Sequence, residues 1–104
     1  MAMENLAQAV ERLTAAGYED DFRAEDTGLR ALRTGRVHEP ELLTIDEVVR
    51  FEGATDPDEE AVVFALRSEG NETKGTYVVS YGIYMDPLDA VMVRRLADRR
   101  PRRA

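Results

Sequence analysis

Two apolar runs set the strongest limit on what this chain can fold into: AVVFALR, Ala61 to Arg67, and TYVVSY, Thr76 to Tyr81, separated by SEGNETKG. Both are rich in β-branched and aromatic residues, which fit a pleated, half-buried surface. Gly70, Asn71 and Gly75 between them tolerate the backbone of a reversal, so the stretch predicts a β-hairpin. Side chains alternate across a strand, which gathers Val62, Phe64 and Leu66 with Tyr77, Val79 and Tyr81 on one face. Val63, Ala65 and Val78, with Thr76 and Ser80, take the other. Both faces are apolar, so both need cover. Either two helices lie on opposite faces, or a second copy of the chain covers one of them as a homodimer.

Thr44 to Glu52 predicts a further strand, with Ile45, Val49 and Phe51 on one side and Asp46, Arg50 and Glu52 on the other; Val48 breaks the polar set. Upstream, Phe22 and Ala24 alternate with polar residues, EDTG can turn, and Leu29 resumes the pattern, which predicts a second hairpin. VHEPELL contains Pro40 and has room for a single helical turn.

Helices bracket these strands. Met3, Leu6, Val10 and Leu13 recur every three or four residues with polar residues between them, and Gly17 can supply the left-handed residue beyond the end. At the other end Asp86 is placed to cap, Pro87 suits the first helical position, and Leu88, Val91, Met92 and Leu96 share a face. The late arginines complement the negative end of that helix, and Pro101 stops it. The order is helix, five strands, helix. Connections between successive strands are too short for parallel crossovers, so the expectation is an α+β domain with an antiparallel sheet of about five strands.

A length of 104 residues suits one core, expected over residues 1–98 with a basic tail at 99–104. The chain has no Cys, which excludes disulfides, thiolate metal sites and cysteine nucleophiles by inventory. Glu4 and Glu11 interrupt the first apolar residues, unlike a secretory leader, and no apolar stretch approaches the roughly 20 residues a bilayer requires, so a cytoplasmic protein is expected. Residues 1–93 hold 20 acids and 8 bases, whereas residues 94–104 hold six Arg and one Asp. An acidic body repels phosphate backbones, which argues against nucleic acid as the main partner.

Four groups of residues carry candidate chemistry. In DPDEE, Asp56, Asp58 and Glu60, with Glu59, supply oxygens for a divalent cation, but without the spacing of a calcium-binding loop; the same residues also make an ordinary solvated turn. Tyr77, Tyr81 and Tyr84 beside Phe64 form an aromatic row that can receive a ligand ring or a partner's side chains, or simply pack as core. His38 is the one histidine, and neither Ser68 nor Ser80 sits in a nucleophile elbow, so it reads as a surface loop residue. Arg99, Arg100, Arg102 and Arg103 can bind nucleic acid, but no aromatic residue interleaves them for base stacking. No phosphate-binding glycine loop is present, and no cofactor is called for.

The segments GYEDDF, IDEVVRFEGATDPDEEAVVFAL and GTYVVSYGIYMDPL give the chain, over roughly Met3 to Leu96, a composite pattern. It resembles a family of small uncharacterised bacterial proteins, some labelled phosphoribosylpyrophosphate synthetase. That resemblance implies a stand-alone domain. It transfers no catalytic residue, because such a synthetase cradles phosphate in a small-residue loop after a parallel strand, and the acid-rich stretch here has no such loop. The expectation is a soluble, non-enzymatic interaction or regulatory module that binds a protein partner or itself. A metal- or small-molecule-dependent enzyme using the acidic corner, and a nucleic-acid accessory protein using the tail, are the alternatives.

Overall fold

The computed structural model describes residues 4–52, 60–81 and 85–99, the last three by backbone alone. The first helix, α1, spans Leu6–Ala15. Asn5 and Gln8 close its start reciprocally: the Asn5 side chain accepts the Gln8 N–H at 2.8 Å, and the Gln8 side chain accepts the Asn5 N–H at 2.9 Å. Gly17, at φ 112°, turns the chain past its end. Strands β1 (Asp20–Ala24), β2 (Leu29–Ala31) and β3 (Val37–His38) then form a meander, followed by a single 3-10 turn at Pro40–Leu42. A second meander comprises β4 (Thr44–Phe51), β5 (Ala61–Arg67) and β6 (Lys74–Ser80). The last described element is α2, Pro87–Arg99, whose start is capped by the Asp86 carboxylate on the Leu88 N–H at 2.8 Å.

The sheet has six strands in the order β3-β2-β1-β6-β5-β4. Pairing within each meander is antiparallel, but the meanders join through β1 and β6, which run parallel with Asp20 opposite Gly75 and Asp21 opposite Thr76. The sheet is therefore mixed, not wholly antiparallel, and it gains a strand at Val37–His38 that was expected to be loop. Short connections dictate antiparallel pairing only between strands adjacent in sequence; β1 and β6 are not. Gly75 makes the junction possible. A Cβ there would lie 2.6 Å from the Asp20 carbonyl oxygen, so this glycine serves a close approach inside β6 and not the hairpin turn. The turn itself uses Gly70 at φ 75° and Asn71 at φ 61°.

Only Glu39 to Leu43 carry the chain from β3 at one edge to β4 at the other. Five flat strand spacings would put those edges ~24 Å apart. Six residue steps span at most ~21 Å, and less with a 3-10 turn among them. The sheet must therefore curl, which draws buried Leu43 into the core beneath α2.

The two helices lie on opposite faces. Met92 and Leu96 of α2 pack on Phe22, Leu29, Val62, Phe64, Leu66, Tyr77 and Val79, whereas Leu13 of α1 packs on Val63 and Ala65. The division of the hairpin's side chains is the one its alternation predicts. On that face α1 covers Val63 and Ala65, while Val78 stays 37% exposed. Among the described helices none is long and apolar enough to cross a membrane.

Candidate functional site

A β-bulge shapes a largely apolar hollow against α2. The register between β4 and β5 shifts between Ile45 and Glu47, so strict alternation fails there. Ile45 and Val48 consequently share the α2 face, and Arg50 follows on the same side, while Phe51 packs toward α1. This corrects the simple two-sided reading of the strand and explains why Val48 seemed misplaced. The resulting groove, about 360 Å³, lies between β4, β5, β6 and α2. Val62, Phe64, Val79 and Val93 contribute apolar walls, and Tyr81 and Met85 complete it. Arg50 stands 5.5 Å from the Tyr81 ring centroid, and the Tyr81 hydroxyl donates to the Phe51 carbonyl at 3.3 Å. Among the described residues Arg50 has no ion-pair partner. The guanidinium is thus held over an aromatic face at the rim of a dry surface.

The aromatic row is split by the fold. Phe64 and Tyr81 line this groove, but Tyr77 is 1% exposed, stacks on Phe64 at 6.0 Å and donates its hydroxyl to Asp89 at 2.5 Å, pinning the first turn of α2. Burial first, and then the Asp89 carboxylate, raises the Tyr77 pKa far beyond the ordinary phenol value. Tyr84 lies outside the described residues, as do Asp56, Asp58 and Glu59. Glu60 is half-buried, and its carbonyl accepts the Tyr81 N–H at 3.2 Å, continuing the β5–β6 ladder. Arg100, Arg102 and Arg103 are also outside the described residues, and Arg99 is described only by its place at the end of α2.

Elsewhere several of the described carboxylates are engaged with arginines. Glu4 and Glu47 both take Arg12, at 2.7 and 2.8 Å; Glu41 takes Arg95 at 2.6 Å; Glu19 takes Arg33 at 2.9 Å; Glu25 takes Arg30. Hydrogen bonds from those arginines hold Glu4, Glu25 and Glu41 below the usual carboxylate range. Asp46 sits in a network that sequence reasoning missed, accepting from Arg67 at 3.0 Å and from the Tyr18 hydroxyl at 2.6 Å, while Lys74 lies 4.5 Å from the Tyr18 ring centroid. Burial pushes the Asp46 carboxyl up, but the bonds from Arg67 and Tyr18 outweigh it and hold it low. The same bond to Asp46, with burial, pushes Tyr18 up to about 12. Among the described residues no three His, Cys, Asp or Glu side chains are placed so that together they could hold a metal ion.

His38 is not a loop residue. It sits in β3 with its ring edge-on to Phe22 at 5.9 Å, and its Nε2 is buried without a hydrogen-bond partner. Burial, and next the charge of Arg36, lower its pKa. His38 and Ser68 line one small cleft of about 210 Å³ with Glu69 and Glu72, yet the Ser68 hydroxyl accepts the Thr73 N–H at 2.9 Å, and no hydrogen bond joins the serine to the histidine. The arrangement closes a turn and does not assemble a nucleophile with a base. Comparison with known proteins finds no matching family model, no matching curated protein and no matching solved structure.

Proposed function

We propose that the protein is a non-enzymatic interaction module whose groove beneath β4 receives a protein segment bearing an apolar side chain next to a carboxylate. The observation that carries this reading is the pairing of an apolar groove with a rim guanidinium that has no ion-pair partner among the described residues. An acidic residue on the incoming segment would meet Arg50 at the edge of low-dielectric surface, where a bidentate pair is both directional and stronger than in open water. The neighbouring edge strand β4 adds backbone groups on its free side. Catalysis receives no comparable support: among the described residues Glu4, Glu19, Glu25, Glu41 and Glu47 are paired with arginines, and of the acids near the β1–β6 junction Asp20 is held by backbone N–H groups, Asp21 by Arg23 and Asp89 by the Tyr77 hydroxyl.

The test is differential capture from cell extract with three immobilised proteins: wild type, Arg50→Glu in the groove and Arg36→Glu away from it. The expected result is a protein retained by wild type and Arg36→Glu and lost at least tenfold with Arg50→Glu. Identical retention by all three, or nothing above bare resin, overturns the reading.

A further inference from the structure

The parallel join between β1 and β6 is only two residues long. Asp20 pairs with Gly75 and Asp21 with Thr76, after which the strands have no further pairing although β1 continues to Ala24 and β6 to Ser80. The parity of the neighbouring ladders fixes which backbone groups face the opening. Ser68 N–H donates to Thr73 O, and Tyr81 N–H to Glu60 O, both in the register of the β5–β6 pairing. Hydrogen-bonded pairs therefore alternate from Ser68/Thr73 to Glu60/Tyr81, so Tyr77 and Val79 point their N–H and C=O groups at β5. Those of Val78 and Ser80 point the other way, toward β1. On β1, Leu32 N–H donates to Asp21 O and Glu25 N–H to Gly28 O, which by the same rule aims Ala24 at β6.

The middle of the sheet thus contains a split whose facing edges, Ala24 on one side and Val78 and Ser80 on the other, have no strand between them among the described residues. It forms a cleft of about 560 Å³. Its opening is on the α1 side, where Val10 and Thr14 form the rim and Val78, though on a central strand, is 37% exposed. Phe22 and Tyr77, both 1% exposed, and the Tyr77–Asp89 bond close it beneath. Four carboxylates, Glu19, Asp20, Asp21 and Asp89, line the cleft against one guanidinium, Arg23. Glu19 is paired with Arg33 at 2.9 Å and Arg23 reaches Asp21 at 3.4 Å, whereas Asp20 accepts only from the N–H groups of Asp21 and Arg33, each at 2.8 Å, and Asp89 from the Tyr77 hydroxyl, so Asp20 and Asp89 leave the surplus charge negative.

We propose that this split accepts an extended segment of a protein partner as an inserted strand, with lysine or arginine side chains directed at the acidic lining. Backbone groups on two facing edges recognise an extended main chain, and the carboxylates select basic side chains along it. The site is separate from the Arg50 groove and does not depend on it.

Two measurements test the proposal on the full chain. In the free protein, the Val78 amide exchanges with solvent at least tenfold faster than those of Tyr77 and Val79, although all three lie in one strand. Titration then uses a capped pentapeptide alternating lysine and valine, a second with proline in place of valine, and a third with glutamate in place of lysine. The lysine–valine peptide is expected to slow exchange at Val78 and Ala24 at least tenfold. The proline peptide, equally charged but without those N–H donors, should do so at least tenfold less, and the glutamate peptide should bind at least tenfold more weakly. Equal protection by the proline peptide would mean electrostatic adhesion alone and overturn the inserted strand. No protection by the lysine–valine peptide would also overturn it. So would protection that appears without peptide as protein concentration rises, which would assign the split to a second copy of the chain.

Discussion

Replacing Leu13 by alanine tests the seating of α1 on the face opposite α2. Leu13 is 2% exposed and packs on Val63 and Ala65, both fully buried, with Leu6, Val10, Tyr18 and Phe51 partly buried around it. Truncating a buried leucine costs about 2–5 kcal/mol, set by how far the surroundings collapse into the space. Here the surround is half-open, which favours partial collapse, and alanine gains a little helix propensity, so about 2.5 kcal/mol is expected. With a urea m-value of about 1.5 kcal/mol/M, the midpoint should fall by about 1.7 M. Thermal unfolding should move down by about 10–20 °C. Circular dichroism in urea, with Leu88→Ala as the control on a 37% exposed α2 residue, reads the difference directly; the control should lie within about 0.5 kcal/mol of wild type. A Leu13→Ala loss below about 1 kcal/mol would refute the reasoning, because it would mean that α1 does not close that face. The variant should also associate more readily in sedimentation experiments, since loosening α1 exposes Val63 and Ala65.

Gly75→Ala should cost at least about 1–3 kcal/mol in the same urea assay, because the new Cβ meets the Asp20 carbonyl and Cβ across the β1–β6 junction. Tyr77→Phe should lose about 1.5–3 kcal/mol in the urea assay by removing a buried bond to a carboxylate. Asp46 is depressed in the folded state, so its contribution is present above the unfolded carboxylate value near 3.8 and is lost as pH falls through the lower folded value. Asp46→Asn should therefore flatten the acid limb of stability against pH below about 4, and an unchanged limb would contradict the Arg67–Asp46–Tyr18 network.

Local chemistry was legible in the residues themselves. Strand alternation in AVVFALR and TYVVSY fixed which side chains share a face, Gly70 and Asn71 marked the reversal, and Asp86 followed by Pro87 marked the start of α2, because each depends on neighbours a few positions away. What required the tertiary structure is contact between distant segments. No nearby residue announces that β1 lies parallel to β6, and Gly75 reads as a turn residue until Asp20 is placed against it. The bulge after Ile45 depends on the partner strand β5, and it alone brings Val48 and Arg50 to the groove with Phe64 and Tyr81. Likewise, nothing local to His38 shows that Phe22 lies beside it. Pattern along the chain determines which face a side chain takes; long-range pairing decides what that face meets, and the groove and the split are both products of such pairing.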